Sequence, residues 1–182
     1  FLTRDDCQDR SHILKLDPLP QWKQIATSLA PSETDTWTRI ATNFDDLVDS
    51  PIVMGELDIR SFECGGVPHY LATLGGDKFW DSEKALGDVQ KIVAKEQEFW
   101  GDVPYKSYWF LNLATEQGGG LEHDNSTVLM TSRFATKDKA KYQNWLGLVS
   151  HEFFHTWNVR RLRPKALVNY DYDREQYFRE LW

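Results

Sequence analysis

A chain that sets two histidines one turn apart near the end of a long, mostly apolar helix has few ways to fold. Residues 137 to about 158 read as such a helix: Trp145, Leu146, Leu148, Val149, Phe153, Phe154 and Trp157 spread over more than one of its faces. A helix that is apolar on more than one side has to be buried. Pro164 stops it. His151 and His155, at i and i+4, share one face.

The stretch reads His151-Glu152-Phe153-Phe154-His155. Two imidazoles so spaced can offer nitrogens to one zinc ion. The glutamate between them, offset around the helix, reaches a water beside the metal as general base and later hands the proton to a leaving amine. With 5 His in 182 residues, chance predicts about 0.01 such patterns in a chain of this composition. His151 and His155 are therefore expected to be metal ligands and Glu152 the catalytic base. A catalytic zinc takes three protein ligands and keeps one open position. The extended motif, with a further glycine and histidine downstream, is absent: Asn158 and Arg161 stand there. A third ligand must come from elsewhere, and Glu175 and Glu180 on a predicted final helix are open candidates.

Upstream, residues 82–100 have the 3.6-residue period of an amphipathic helix (Leu86, Val89, Ile92, Val93, Phe99), with Asp81 or Ser82 as cap and Gly101 as stop. Alternation predicts strands over residues 52–59 with a kink at Gly55, over 69–74 after a Gly65-Gly66 turn, over 104–113 and over 126–134. Residues 12–16 suit a short strand and 44–48 a helical turn. A last helix starts near Asp173, with Asp173 and Gln176 placed as a capping box, and its apolar residues run straight to Trp182, which suggests a chain cut in mid-pattern.

The net charge of −7 and pI near 5.2 argue against a nucleic-acid binder. The one basic cluster, Arg160, Arg161, Arg163 and Lys165, reads as a solvated, partly ion-paired helix end. No apolar run reaches the ~18 residues of a membrane span. Nothing in the sequence assigns a compartment. Cys7 and Cys64 allow one bridge without requiring it.

The stretch from His151 through Thr156, Trp157 and Asn158 to Arg163-Pro164, followed by Asp171-Tyr172, Arg174-Glu175 and Leu181-Trp182, closely resembles the glycyl aminopeptidase family of zinc metallopeptidases. Gly118-Gly119-Gly120-Leu121-Glu122-His123 resembles that family's second motif. Asp45-Asp46-Leu47-Val48-Asp49-Ser50-Pro51 and Gly66-Val67-Pro68-His69 look like its upstream landmarks. The resemblance implies a thermolysin-like α+β fold, with a twisted, mainly antiparallel sheet packed on the metal helix. Residues 1–40 would be the tail of a β-rich N-terminal domain and residues 41–182 an incomplete catalytic domain. It implies a third zinc ligand, a Glu, three residues past Leu181-Trp182 and so beyond this chain, which would leave the piece as given inactive, and a PDZ domain further downstream.

In the related aminopeptidases a glycine-rich edge strand aligns the peptide and its glutamate binds the substrate α-amine. Glu122, Gly119 and Gly120 are the matching residues, which makes a peptide with a free N-terminus the expected substrate. An endopeptidase or other hydrolase on the same scaffold is the rival. His123 stays open between substrate contact and a structural hydrogen bond. His69 and His12 read as structural or exposed, and Asp171 as a helix cap or an orienter of a zinc-bound histidine.

Overall fold

Short, N-terminal strands come first in the computed structural model, which describes residues 7–165. These are β1 (His12–Lys15), β2 (Gln24–Ala26), β3 (Ala30–Pro31) and β4 (Thr38–Ala41), then the one-turn helix α1 (Phe44–Val48) and β5 (Val53–Gly55). β4 pairs antiparallel with both β1 and β3, and β2 with β5. Asn43 caps α1 by accepting from the Asp46 amide. The predicted strand at 12–16 and helical turn at 44–48 are both present. β2 and β3, three and two residues long, are too short to have stood out.

The central sheet is built from β6 (Leu57–Cys64), β7 (Val67–Leu74), β8 (Tyr108–Ala114), β9 (Gly119–Glu122) and β10 (Ser126–Thr131), in the order β6-β7-β8-β10-β9. β6 and β7 form a hairpin through Gly65 and Gly66, both at positive φ, the conformation a two-residue hairpin turn requires. β7 pairs with β8, and β8 with β10, in parallel. The sheet is therefore mixed, not mainly antiparallel as expected. A parallel partner demands a crossover, and the helix α2 (Ser82–Trp100) supplies the one between β7 and β8. α2 has its expected bounds, with Asp81 accepting from the Lys84 amide and Gly101 in the left-handed conformation at its end.

Alternation along the strands sorts side chains to two faces. Leu71, Tyr108, Phe110 and Leu129 point to one face, against Ala85, Val89 and Val93 of α2 and Tyr142, Trp145, Val149 and Phe153 of the helix α3 (Lys139–Phe154). Leu57, Ala72 and Leu111 point to the other, toward Ala26 of β2. α3 is capped by Asp138, which accepts from the amides of Ala140 and Lys141. It ends earlier than the expected residue 158, because Thr156 and Trp157 bond back three residues and tighten the chain into turns. His155 closes α3 in helical conformation (φ −61°, ψ −18°), so its one-turn spacing from His151 holds. Trp145 Nε1 donates to Asn112 Oδ1 at 3.1 Å, tying α3 to the middle of β8.

Cys7 and Cys64 are not joined in a disulfide. Among the described residues no helix is long and apolar enough to cross a membrane. The predicted helix near Asp173, with Glu175, Glu180 and the Leu181-Trp182 pair, and Asp171 before it, lies outside the described residues.

Candidate functional site

The site lies where the C-terminal end of α3 meets the edge strand β9. His151 is exposed, whereas Glu152 and His155 retain 5% and 8% of their accessible surface. Nε2 of His155 is 3.1 Å from Nε2 of His151. Nδ1 of His155 is 2.7 Å from the carbonyl oxygen of Asn158, an acceptor that leaves the proton on Nδ1 and the lone pair on Nε2. The turn that follows α3 thus orients the ring.

Glu122, the last residue of β9, is buried and closes over the same spot. One ligand atom from each of Glu122, Glu152 and His155 falls within 4.8 Å of the others. His151 joins this cluster through His155. Burial raises the Glu152 carboxyl above its ordinary value, and the Glu122 carboxylate pushes it further, against the opposing pull of His155 and His123.

The glycines of β9 have separate reasons. Gly119 sits at φ +128°, where side chains are strained. Gly120 carries no Cβ because a Cβ there would lie 2.5 Å from Cγ of Glu152. The missing Cβ at Gly120 thus makes room for the side chain of Glu152, the expected base. In the sheet order β9 stands at the edge, bonded on one side to β10, and Leu121 is exposed beside it.

A second tier of polar residues, largely unforeseen, braces the site. Asp49, just after α1, accepts from Arg160 (2.6 Å) and from the Asp124 amide (2.8 Å), and its Oδ1 lies 3.2 Å from His123 Nδ1. Arg160 also holds the Asp124 carboxylate at 2.7 Å. Arg161 donates to the carbonyls of Asp124, Thr156 and Pro104 and to Asn125. The basic cluster is therefore not a solvated helix end at Arg160 and Arg161: these two are half-buried clamps joining the turn after α3 to the β9–β10 loop. On the other side of α3, Ser150 donates to buried Glu96 at 2.7 Å. The Ala85, Val89, Val93 stripe of α2 continues onto Glu96 and Gln97, and that periodicity was the sequence signal for a buried carboxyl. His69 is fully buried between Tyr105 and Val67, and burial lowers it to about 4, so it stays a neutral structural group.

A cavity of about 1250 Å³ opens between the N-terminal strands and Arg160, Arg161 and Arg163, but none of His151, Glu152, His155 or Glu122 lines it.

Two family models match the chain: the M61 glycyl aminopeptidase over residues 144–182, and the peptidase M61 N-terminal domain over residues 1–56. The chain belongs to the M61 glycyl aminopeptidase family. Its fold is similar to the crystal structure of an aminopeptidase N family protein from Idiomarina loihiensis, with 32% identity and a TM-score of 0.86. That match covers 95% of this chain and 31% of the other, so the chain spans about a third of the solved relative. Among curated proteins no sequence matches. M61 is a metallopeptidase family, and the described residues of this member hold a possible metal-binding group in Glu122, Glu152 and His155.

Proposed function

We propose that the chain carries the zinc- and base-bearing part of an aminopeptidase that hydrolyses N-terminal peptide bonds. The observation that carries this reading is the buried Glu122 carboxylate packed against Glu152 and His155. Two carboxylates this close repel each other. A substrate ammonium at Glu122 relieves that repulsion and fixes the first peptide bond beside Glu152. An enzyme that cuts within chains has no need of a buried acceptor there.

The donor set suits zinc. Two nitrogens 2.0–2.1 Å from a tetrahedral centre stand about 3.3 Å apart, and His151 and His155 offer theirs at 3.1 Å. Asn158 supplies the carbonyl that orients such ligands from behind. His151 and His155 would hold the ion together with a Glu on the segment after Leu181-Trp182. When bound, zinc supplies a Lewis acid that polarises the scissile carbonyl and makes water nucleophilic near neutral pH. Glu152 takes the proton of the attacking water on its carboxylate and delivers it to the leaving nitrogen. The edge of β9 that is unpaired among the described residues, through the backbone around Gly119 and Gly120, aligns the peptide as an added strand. We assign Glu122 to the α-amine and not to the metal. A thermolysin-like arrangement, an N-terminal domain ending near residue 40, a catalytic domain over residues 41–182 and a downstream PDZ domain belong to the same proposal.

The test compares free and N-acetylated peptides of one sequence on the metal-loaded enzyme. Cleavage confined to the free form is expected. Equal cleavage of both would overturn the aminopeptidase reading in favour of an endopeptidase or another hydrolase.

A further inference from the structure

Asp49 closes α1, its amide donating to the Asp45 carbonyl at 2.9 Å. α1 is pinned to the N-terminal strands by Phe44 and Leu47, which are buried in one cluster with Leu29 and Ala41. From this fixed place the Asp49 carboxylate reaches two separate parts of the site. Oδ2 accepts from the Asp124 amide at 2.8 Å, and Oδ1 lies 3.2 Å from Nδ1 of His123. These are the two residues that follow Glu122. Oδ1 also accepts from Nη2 of Arg160 at 2.6 Å. Arg160 belongs to the turn after α3: its amide donates to the His155 carbonyl at 3.0 Å, and its Nε to the Asp124 carboxylate at 2.7 Å. One carboxylate therefore ties the loop beside Glu122 to the turn beside His155. The Asp49 and Arg160 side chains are only 20% and 14% exposed, so water and salt screen the pair little.

β9 alone does not set the spacing between Glu122 and α3. It is four residues long, begins with two glycines and, among the described residues, bonds only to β10. Ladder bonds fix its register along β10; they do not hold an edge strand against a helix. The Glu122 and Glu152 carboxylates converge on one point and repel each other, which favours a wider gap. An attractive tie has to oppose them. Arg161 supplies part of it, donating to the carbonyls of Asp124 and Thr156. Asp49 supplies the part that is fixed to a third element, through contacts that span 74, 75 and 111 residues of sequence. We propose that Asp49 is a positioning residue: it sets the distance from Glu122 to His151 and His155, and so the length of substrate between the α-amine and the bond that is cut. An α-amino acid has one carbon between amine and carbonyl and a β-amino acid has two, so a fixed gap selects between them. This rests on the aminopeptidase reading and adds to it the residue that fixes the register of cleavage.

The experiment uses the metal-loaded enzyme at its full natural length and three 4-nitroanilides. The acetyl compound has no amine, the glycyl compound an amine one carbon from the carbonyl, and the β-alanyl compound an amine two carbons from it. The wild type should favour the glycyl substrate. Asp49→Ala should cut kcat for it about 100-fold, as a shift of about 1 Å at a reacting group does, with KM little changed. Hydrolysis of the β-alanyl substrate should hold or rise, so the preference falls by about the same factor. Asp49→Asn keeps the size and the acceptor for the Asp124 amide and drops the charge facing Arg160, so its preference should lie between the two. Zinc content should match the wild type in both variants. Binding gives a readout apart from turnover: the preference for glycine hydroxamate over β-alanine hydroxamate, as Kd by calorimetry, should fall about 10-fold in Asp49→Ala. An equal loss on the glycyl and β-alanyl substrates in both variants, or an unchanged hydroxamate preference, would make Asp49 a merely structural residue. Either result would overturn this inference and leave the aminopeptidase reading standing, as would a wild type indifferent between glycyl and β-alanyl substrates. Equal use of the glycyl and acetyl compounds by the wild type would overturn the aminopeptidase reading, and this inference with it.

Discussion

At Gly120 a single missing Cβ makes room for the proposed base. A methyl group there would lie 2.5 Å from Cγ of Glu152, so one of the two must move. β9 is bonded along its length to β10, and the Glu152 side chain is the softer partner. Gly120→Ala should therefore displace the base more than it unsettles the fold. A displacement of about 1 Å at a reacting group costs roughly 100-fold in rate. The measurement is kcat beside Tm: kcat should fall by about that factor while Tm shifts by only a few degrees. A wild-type kcat in this variant would show that Glu152 does not need the space. Glu152→Gln makes the complementary change, keeping size and burial and removing the proton acceptor. Turnover should drop by about 10²- to 10⁴-fold with metal content unchanged, since His151 and His155 keep their nitrogens. Retained turnover would remove Glu152 from the mechanism.

At the level of elements, the contact between α2 and α3 contains a charge problem. Glu96 is buried, one oxygen accepts from Ser150 beside His151, and the other has no partner among the described residues. Burial pushes its carboxyl up to about 7 from an ordinary 4.5. Below pH 4.5 both folded and unfolded chains hold the proton, and the stabilisation relative to the ionised form is fully present. Between 4.5 and 7 the unfolded chain gives the proton up first, so stability falls as pH rises, by up to about 3 kcal/mol in all. Glu96→Gln should flatten this part of the stability curve, measured by urea unfolding at pH 5 and pH 8, and raise stability at pH 8. An unchanged slope would mean that Glu96 is ionised in the folded protein throughout.

The same elements show what the sequence made legible. α2 was readable to its caps because helix periodicity and capping are local. The parallel pairings of β8 were not, because β7 and β8 meet only across the whole of α2, and no local pattern separates parallel from antiparallel partners. His151, Glu152 and His155 were legible because one helical turn fixes their relation. The bond between Asp49 and His123 was not, because it depends on a loop closing over the end of α1.

At the scale of the whole molecule, the proposed zinc site turns on how its ligand set is completed. Two histidines on α3 face one point, and the carboxylates nearest to it within the described residues belong to Glu122 and Glu152. If Glu122 were a ligand, the set would be complete in residues 7–165. Glu122→Gln would then weaken zinc binding by orders of magnitude, because a neutral amide is a poor ligand for the ion. If Glu122 holds the amine, the same change leaves zinc affinity nearly intact and raises KM for free-amine substrates alone. Glu175→Gln and Glu180→Gln apply the same test to the candidates on this chain. Zinc affinity should survive all three changes and should rise sharply when residues 1–182 are extended by the native segment that carries the expected Glu. Tight binding of one zinc by residues 1–182, lost in any one of these variants, would place the third ligand at that residue. The logic is one of charge: in the proposed mechanism Glu152 stays free to accept a proton and Glu122 free to meet a cation, so a site that used either as a ligand would lose the proposed base or the proposed amine anchor. A third carboxylate from a later part of the chain leaves each of them to its own task.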